Sequence, residues 1–282
     1  MSLGVLNNIS AIYAQNNLNQ TQASLQNTLT QLSSGSRINS GADDAAGLAL
    51  ADGLHANVAA LTQSAQNASA GVGMLQTADG ALAQVTNLLN RAITLATEAA
   101  NGTLNTSQVG SADQEYQNIL TEIGNIGSTT NYNGNAVFSA TPVSVFVSDG
   151  TSSGASTFSE TIGALTTASV GTTAAGAGAD LTASATLNAT TAAGILTTLT
   201  SAVQDVAYQR GTVGANINQL SAAANVANTQ SVNLSSAENN IRATNYGQAT
   251  SDMAKYKILS ETGIAALSQA NAVQQDVLKL LQ

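Results

Sequence analysis

The sequence predicts a mainly α protein: a long antiparallel helical bundle and coiled coil built from both chain ends, with a small β-leaning central insert. Three observations predict it. Apolar residues recur at heptad spacing in two distant blocks, every helix-rich segment is free of proline, and turn-forming residues gather in the centre.

The first block runs through Leu54, Val58, Leu61, Ala65, Ala68, Val72 and Leu75, and stays in phase at Leu82, Leu89, Ile93, Ala96 and Ala100. Asp79 and Thr86 read as interruptions of this stripe. Steps of four and three sustained this long imply one long helix, which Asn101-Gly102 ends. A second block keeps one phase through Leu199, Val203, Val206, Val213, Ile217, Leu220, Ala224, Ala227, Leu234 and Ile241, with Arg210, Ser231 and Glu238 as misfits. Tyr116, Ile119, Ile123 and Ile126 mark a shorter helix between the blocks. Such amphipathic helices can bury their stripes only against one another, so a bundle follows.

Weaker stripes occupy the extreme ends: Leu18, Leu25, Leu29 and Leu32 near the start, and Gly263, Leu267, Ala270, Val277 and Leu281 near the finish. A few apolar side chains, worth about 1.5–3 kcal/mol each, do not readily offset backbone ordering of about 1–2 kcal/mol per residue. Both ends are therefore expected to be disordered in the free chain and to fold on assembly. In the centre, Asn131-Tyr132-Asn133-Gly134-Asn135 predicts a tight hairpin turn. Val143, Val145 and Val147, alternating with Ser144 and Phe146 after the lone Pro142, read as a short strand. From about residue 148 to 193 the chain is Ser, Thr, Gly and Ala, which predicts long loops.

Composition narrows the function. Only 8% of residues are charged and 3% aromatic, with no Trp or Cys. Amide and hydroxyl side chains supply the polarity, and these are cheaper than charges to bury between protein surfaces when paired. A net charge of -9 makes nucleic acid a poor partner. No apolar run reaches the roughly 18 residues that span a bilayer, so no membrane partner is expected. The N-terminal segment lacks a basic stretch followed by an apolar core, so no cleavable signal peptide is expected.

Ser33-Ser34-Gly35-Ser36-Arg37-Ile38-Asn39-Ser40-Gly41-Ala42-Asp43-Asp44-Ala45-Ala46-Gly47-Leu48-Ala49-Leu50 resembles the signature that follows the first helix of bacterial flagellins. The stretch from Ala237 to Gln282 resembles the closing segment of the same family, at Ile241-Arg242, Met253, Ile258-Leu259, Gly263, Leu267-Ser268-Gln269-Ala270-Asn271 and Val277-Leu278-Lys279-Leu280-Leu281. The resemblance covers roughly the first 138 and last 90 residues and leaves out the centre. It implies a structural subunit that polymerises with copies of itself into the flagellar filament used for swimming. It further implies an inner coiled coil over 1–41 and 243–282, a helical bundle over 42–135 and 192–242, and a small outer domain over 136–191. Export by the flagellar secretion apparatus to an extracellular filament is implied too, with an export chaperone, cap and junction proteins as partners. A hook–filament junction protein and, from another class, a secreted coiled-coil adhesin are the rival readings.

The subunit-interface candidates are Leu18, Leu25, Leu29, Leu32, Leu267, Ala270, Val277 and Leu281, with Arg37, Asn39, Asp43 and Asp44 in a Gly- and Ser-rich joint. Those four polar residues either cap local turns or fix the joint geometry between neighbouring subunits. Many flagellins carry a patch for Toll-like receptor 5 reading Gln-Arg-x-Arg-Glu-Leu-x-Val. Arg91, Leu95 and the supporting Glu115 match it, whereas Ile93 and Thr94 stand where Arg and Glu are expected. Losing that pair weakens a hot-spot contact by about 2 kcal/mol or more.

Catalysis finds no support. His55 has no companion for metal or triad chemistry and belongs on a helix flank. Asp43 and Asp44 diverge in direction, and Gly71-Val72-Gly73 lacks the strand and third glycine of a phosphate loop. No cofactor and no metal are expected, and O-linked sugars on the central Ser and Thr residues rest on the family alone.

Overall fold

The computed structural model describes residues 8–149, 157–172, 178–182 and 186–280, without the side chains of residues 274 and 276–280. Its helices are α1 (Ile9–Ser34), α2 (Ala45–Ala100), α3 (Thr106–Thr129), α4 (Ala192–Arg242) and α5 (Tyr246–Leu280). Its strands are β1 (Asn131–Tyr132), β2 (Asn135–Ala136), β3 (Val143–Phe146) and β4 (Thr157–Glu160). The mainly α class with small central antiparallel sheets is as the sequence predicts.

Local chemistry sets the helix boundaries. Asn8 Oδ1 accepts from the Ala11 amide at 2.9 Å and starts α1, and Gly35, at φ 71°, ends it in the left-handed conformation. Asn105 and Gln108 form a reciprocal capping box on α3. Gly102, at φ 67°, follows the end of α2 where Asn101-Gly102 predicted the stop.

The chain divides into two compact units, Asn57–Val232 and Met1–Ala56 with Asn233–Gln282. Within the first of these units the central segment shares the core of the bundle. Val137, Phe138, Ile162, Leu165, Val170, Leu181 and Leu187 are buried in the same cluster as Leu82, Leu89, Tyr116, Ile123, Leu199 and Leu220. In this 57–232 unit, Thr62 bonds Ser231 and Asp79 pairs with Arg210, so α2 and α4 run antiparallel.

Leu61, Ala65 and Ala68 are buried as predicted, but from Leu75 onward on α2, and along α4, the buried stripe is offset from the predicted one at every second position. Leu75, Leu82, Leu89 and Ala96 are buried as expected, but Ala78, Val85, Ala92 and Ala99 take the alternate places instead of Asp79, Thr86, Ile93 and Ala100. Leu199, Val206, Val213, Leu220 and Ala227 alternate likewise with Ala202, Gln209 and Asn216, not with Val203, Arg210 and Ile217. The polar misfits are thus residues beside the seam. Arg210 there makes a two-pronged bond to Asp79, 2.8 Å from Nε to Oδ1 and 3.3 Å from Nη2 to Oδ2.

The Asn-Gly hairpin forms as predicted. Asn133 at φ 50° and Gly134 at φ 80° suit a turn that needs two positive φ values, and β1 pairs with β2 in antiparallel register. The β3 strand pairs with β4, Val145 opposite Phe158. Its backbone is tied to α2, whose Asn67 donates to the Phe146 carbonyl (3.3 Å) and Ser64 to that of Ser148 (2.6 Å). Gly71 permits this approach: a Cβ there would lie 3.0 Å from both Val145 Cγ2 and Leu220 Cδ1.

Candidate assembly surface

In the other unit, α1 and α5 lie antiparallel. Asn8 Nδ2 donates to the Ala270 carbonyl at 2.9 Å, Leu18 packs against Gly263, and Gly35 lies beside Tyr246. The seam is narrow and made of small or half-buried side chains. Leu18, Leu25, Leu32, Leu267 and Ala270 are half-buried. Leu29 is 46% exposed, and Thr28 is the buried residue of that turn. The Thr28 hydroxyl can enter the seam because it donates to the Ser24 carbonyl at 2.9 Å. The side chain of Val277 and all of Leu281 lie outside the described residues.

What the pair leaves outside matters more. Ile9, Ile12, Tyr13 and Leu29 on α1 are exposed, as are Tyr246, Ile258, Leu259, Ile264 and Val273 on α5. Threonines between them add apolar surface, since the hydroxyls of Thr21, Thr30, Thr250 and Thr262 donate to carbonyls of the preceding turn. Large apolar side chains left exposed on a pair of helices mark a surface that needs covering. By contrast, the buried residues described in this unit are Thr28, Ile38, Ala51, Thr244 and Ala249.

The joint between α1 and α2 is held by its own polar residues. The Asp43 carboxylate accepts from the Asn39 amide (3.0 Å), the Ser40 amide (2.9 Å) and the Ser40 hydroxyl (3.1 Å). These bonds hold its carboxyl below the usual range, the Asn39 amide contributing most. Asp44 Oδ1 accepts from the Gly47 amide at 2.9 Å and caps α2. A Cβ on Gly47 would run into Asp44 and into Ile38 Cδ1, so the glycine is what lets the turn close. Asn39 Nδ2 donates to the Ser36 carbonyl at 2.7 Å. Arg37 reaches further, its amide donating to the Arg242 carbonyl (2.6 Å) and Nη2 to that of Ile241 (3.0 Å). The sequence brought these four residues into one motif, but not the anchoring of Arg37 to α4.

The second patch, in the 57–232 unit, is less open to a partner. Leu95 is 2% exposed and belongs to the core. Arg91 binds Glu115 through Nε (2.6 Å) and Nη2 (3.0 Å). That two-pronged bond raises the pKa of the guanidinium and lowers that of the carboxyl. Leu95 therefore serves packing, and Arg91 has its acceptor within the chain.

Among the described residues no group of three or more His, Asp or Glu side chains is placed to hold a metal, and no helix is long and apolar enough to cross a membrane.

Comparison with known proteins agrees with the arrangement of the ends. Residues 5–142 match the bacterial flagellin N-terminal helical region, and residues 196–281 match the bacterial flagellin C-terminal helical region. Flagellin 1 of Proteus mirabilis is 41% identical over 144 residues, which is 51% of this chain and 40% of that protein. The phase 1 flagellin of Salmonella naestved is 42% identical over 132 residues, 47% of this chain and 26% of that protein. The chain thus aligns with less than half the length of these curated relatives. The crystal structure of Bacillus cereus flagellin shares 30% identity over 58% of this chain and 88% of that one, with a TM-score of 0.48. With one family region matched at each end, in the family's order and over most of its residues, the chain belongs to the bacterial flagellins.

Proposed function

We propose that this chain is the structural subunit of a bacterial flagellar filament and works by polymerising with copies of itself. The observation that carries this reading is the exposed apolar surface of α1 and α5, from Ile12 and Tyr13 to Ile258 and Ile264. Neighbouring copies would cover it, each burial contributing about 1.5–3 kcal/mol per large side chain. On this reading α1 and α5 form the innermost layer, with residues 1–41 and 243–282 lining the filament's channel. The segments 42–135 and 192–242 surround it, and 136–191 faces outward. Because the free pair has so few buried residues, it orders fully only when neighbours cover it.

The same reading places the protein outside the cell, exported through the flagellar apparatus, with cap, junction proteins and an export chaperone as its transient partners. Recognition by Toll-like receptor 5 is not part of it, given the buried Leu95 and the internal pairing of Arg91. Seeded growth tests the assignment. Purified chain added to sheared filament fragments should elongate them into long, uniform filaments. Short stubs that stop growing would instead identify a junction protein, and failure to add to any seed would favour the adhesin.

A further inference from the structure

His55 is the only histidine of the chain, and it belongs to a cluster of charges joining α2 to α4. Its Nδ1 lies 3.3 Å from each carboxylate oxygen of Glu238. Arg242 approaches the same carboxylate, with Nη1 3.7 Å from Oε1, and reaches Asp52 Oδ1 at 3.5 Å. Asp52 stands one turn before His55 on α2, and Arg242 one turn after Glu238 on α4. From the joint, the neighbouring charge is Arg37, whose guanidinium is bonded to the Ile241 carbonyl.

The charges of this group do not balance while the imidazole is neutral. Arg37 spends its guanidinium on the Ile241 carbonyl and makes no ion pair among the described residues, so within ion-pair reach two carboxylates face one guanidinium, which leaves one negative charge in excess. A proton on His55 cancels it. The Glu238 side chain is 15% exposed, so its charge is shielded from water and feels its neighbours more strongly than a surface carboxylate would. The His55 side chain is 68% exposed. Imidazole is the side chain whose ordinary titration falls between about pH 5 and 8.

We propose that Asp52, His55, Glu238 and Arg242 form an acid-tightened clamp, in which protonated His55 and Arg242 grip Glu238 from two sides and fasten α2 to α4. Arg242 also accepts from the Arg37 amide through its carbonyl, so closing the clamp steadies the start of the joint. On deprotonation the excess negative charge returns, the His55–Glu238 contact weakens to a neutral hydrogen bond, and the two helices part more often. The device acts within one chain and does not depend on polymerisation.

Hydrogen exchange on the full-length monomer, followed by mass spectrometry at about pH 5.5 and about pH 8 and corrected for the intrinsic chemical rate, tests it. Amides in segments 51–60 and 234–243 should open about two- to fivefold more often at the higher pH, the range of a partly exposed ion pair. Segment 82–99, in the core of the other unit, should show no such difference. His55→Gln should remove the pH dependence and leave the clamp open at both values, while His55→Arg should keep it closed at both. The isosteric Glu238→Gln should also flatten the response. A pH difference surviving in His55→Gln, equal opening of His55→Arg and the parent chain at pH 8, or the same change in segment 82–99 would overturn the proposal.

Discussion

Leu18 of α1 sits over Gly263 of α5, its Cδ1 3.3 Å from the point where a Cβ on Gly263 would lie. The glycine makes the hollow that a leucine fills, and it costs helix stability of about 1 kcal/mol relative to alanine. Gly263→Ala should be close to neutral, since the helical gain offsets a small displacement of Leu18. Gly263→Leu has no such room and should part the helices. The expected outcome is normal seeded growth for Gly263→Ala and none for Gly263→Leu, as read by sedimentation of polymer.

The joint should be acid-sensitive through Asp43. Its carboxyl titrates lower in the folded chain than the ordinary value of about 3.9. The stabilisation is therefore fully present above that value and is lost as pH falls through the lowered one. Asp43→Asn should expose the Asn39 and Ser40 amides to faster hydrogen exchange at neutral pH. The same amides in the parent chain should stay protected until the pH drops below about 3.9.

Two amides occupy adjacent heptad positions of the α4 seam, and they should respond differently to leucine. Among the described residues Asn216 Nδ2 is buried with no acceptor, whereas Gln209 Nε2 donates to the Ile162 carbonyl. Asn216→Leu should raise the unfolding free energy by about 1 kcal/mol, because it removes an unpaired buried donor. Gln209→Leu should lower it, by less than about 1 kcal/mol, because the Ile162 carbonyl is left unpaired while the buried, unpaired Gln209 Oε1 is removed. Urea denaturation of the two variants measures both.

Salt should speed growth. From residue 92 to 209 there are eight acidic residues and no basic one, so this stretch of every copy repels its counterparts. Screening shortens the reach of that repulsion to about 10 Å at 0.1 M salt. Seeded elongation should accelerate from low to moderate ionic strength, and a flat or falling rate would count against the assigned charge distribution.

Much of this molecule was legible in its sequence, and the gaps have physical causes. The heptad blocks located α2 and α4, but alanine fits a seam or a flank equally well. Apolar periodicity alone therefore left the alternate positions one residue off, although Asp79, Thr86 and Arg210 marked the shift. The Asn133-Gly134 turn was readable because its two positive φ values demand those residues. Ile162, Leu165, Val170, Leu181 and Leu187 were not, since each is an isolated anchor in a Ser- and Thr-rich run and has no period. In the joint, Asp43 and Asp44 were found through a local motif. The pairing of His55 with Glu238 joins residues 183 positions apart, and no local pattern announces it.

The claim that the exposed faces of α1 and α5 are the assembly surface is tested most directly by a paired substitution, Ile258→Ser with Ile264→Ser. Both side chains are exposed in the single chain, so its helical content and melting temperature should not change. Electron microscopy of seeded growth should show long, uniform filaments from the parent chain and none from the double variant. Filaments of equal length from both would contradict the account.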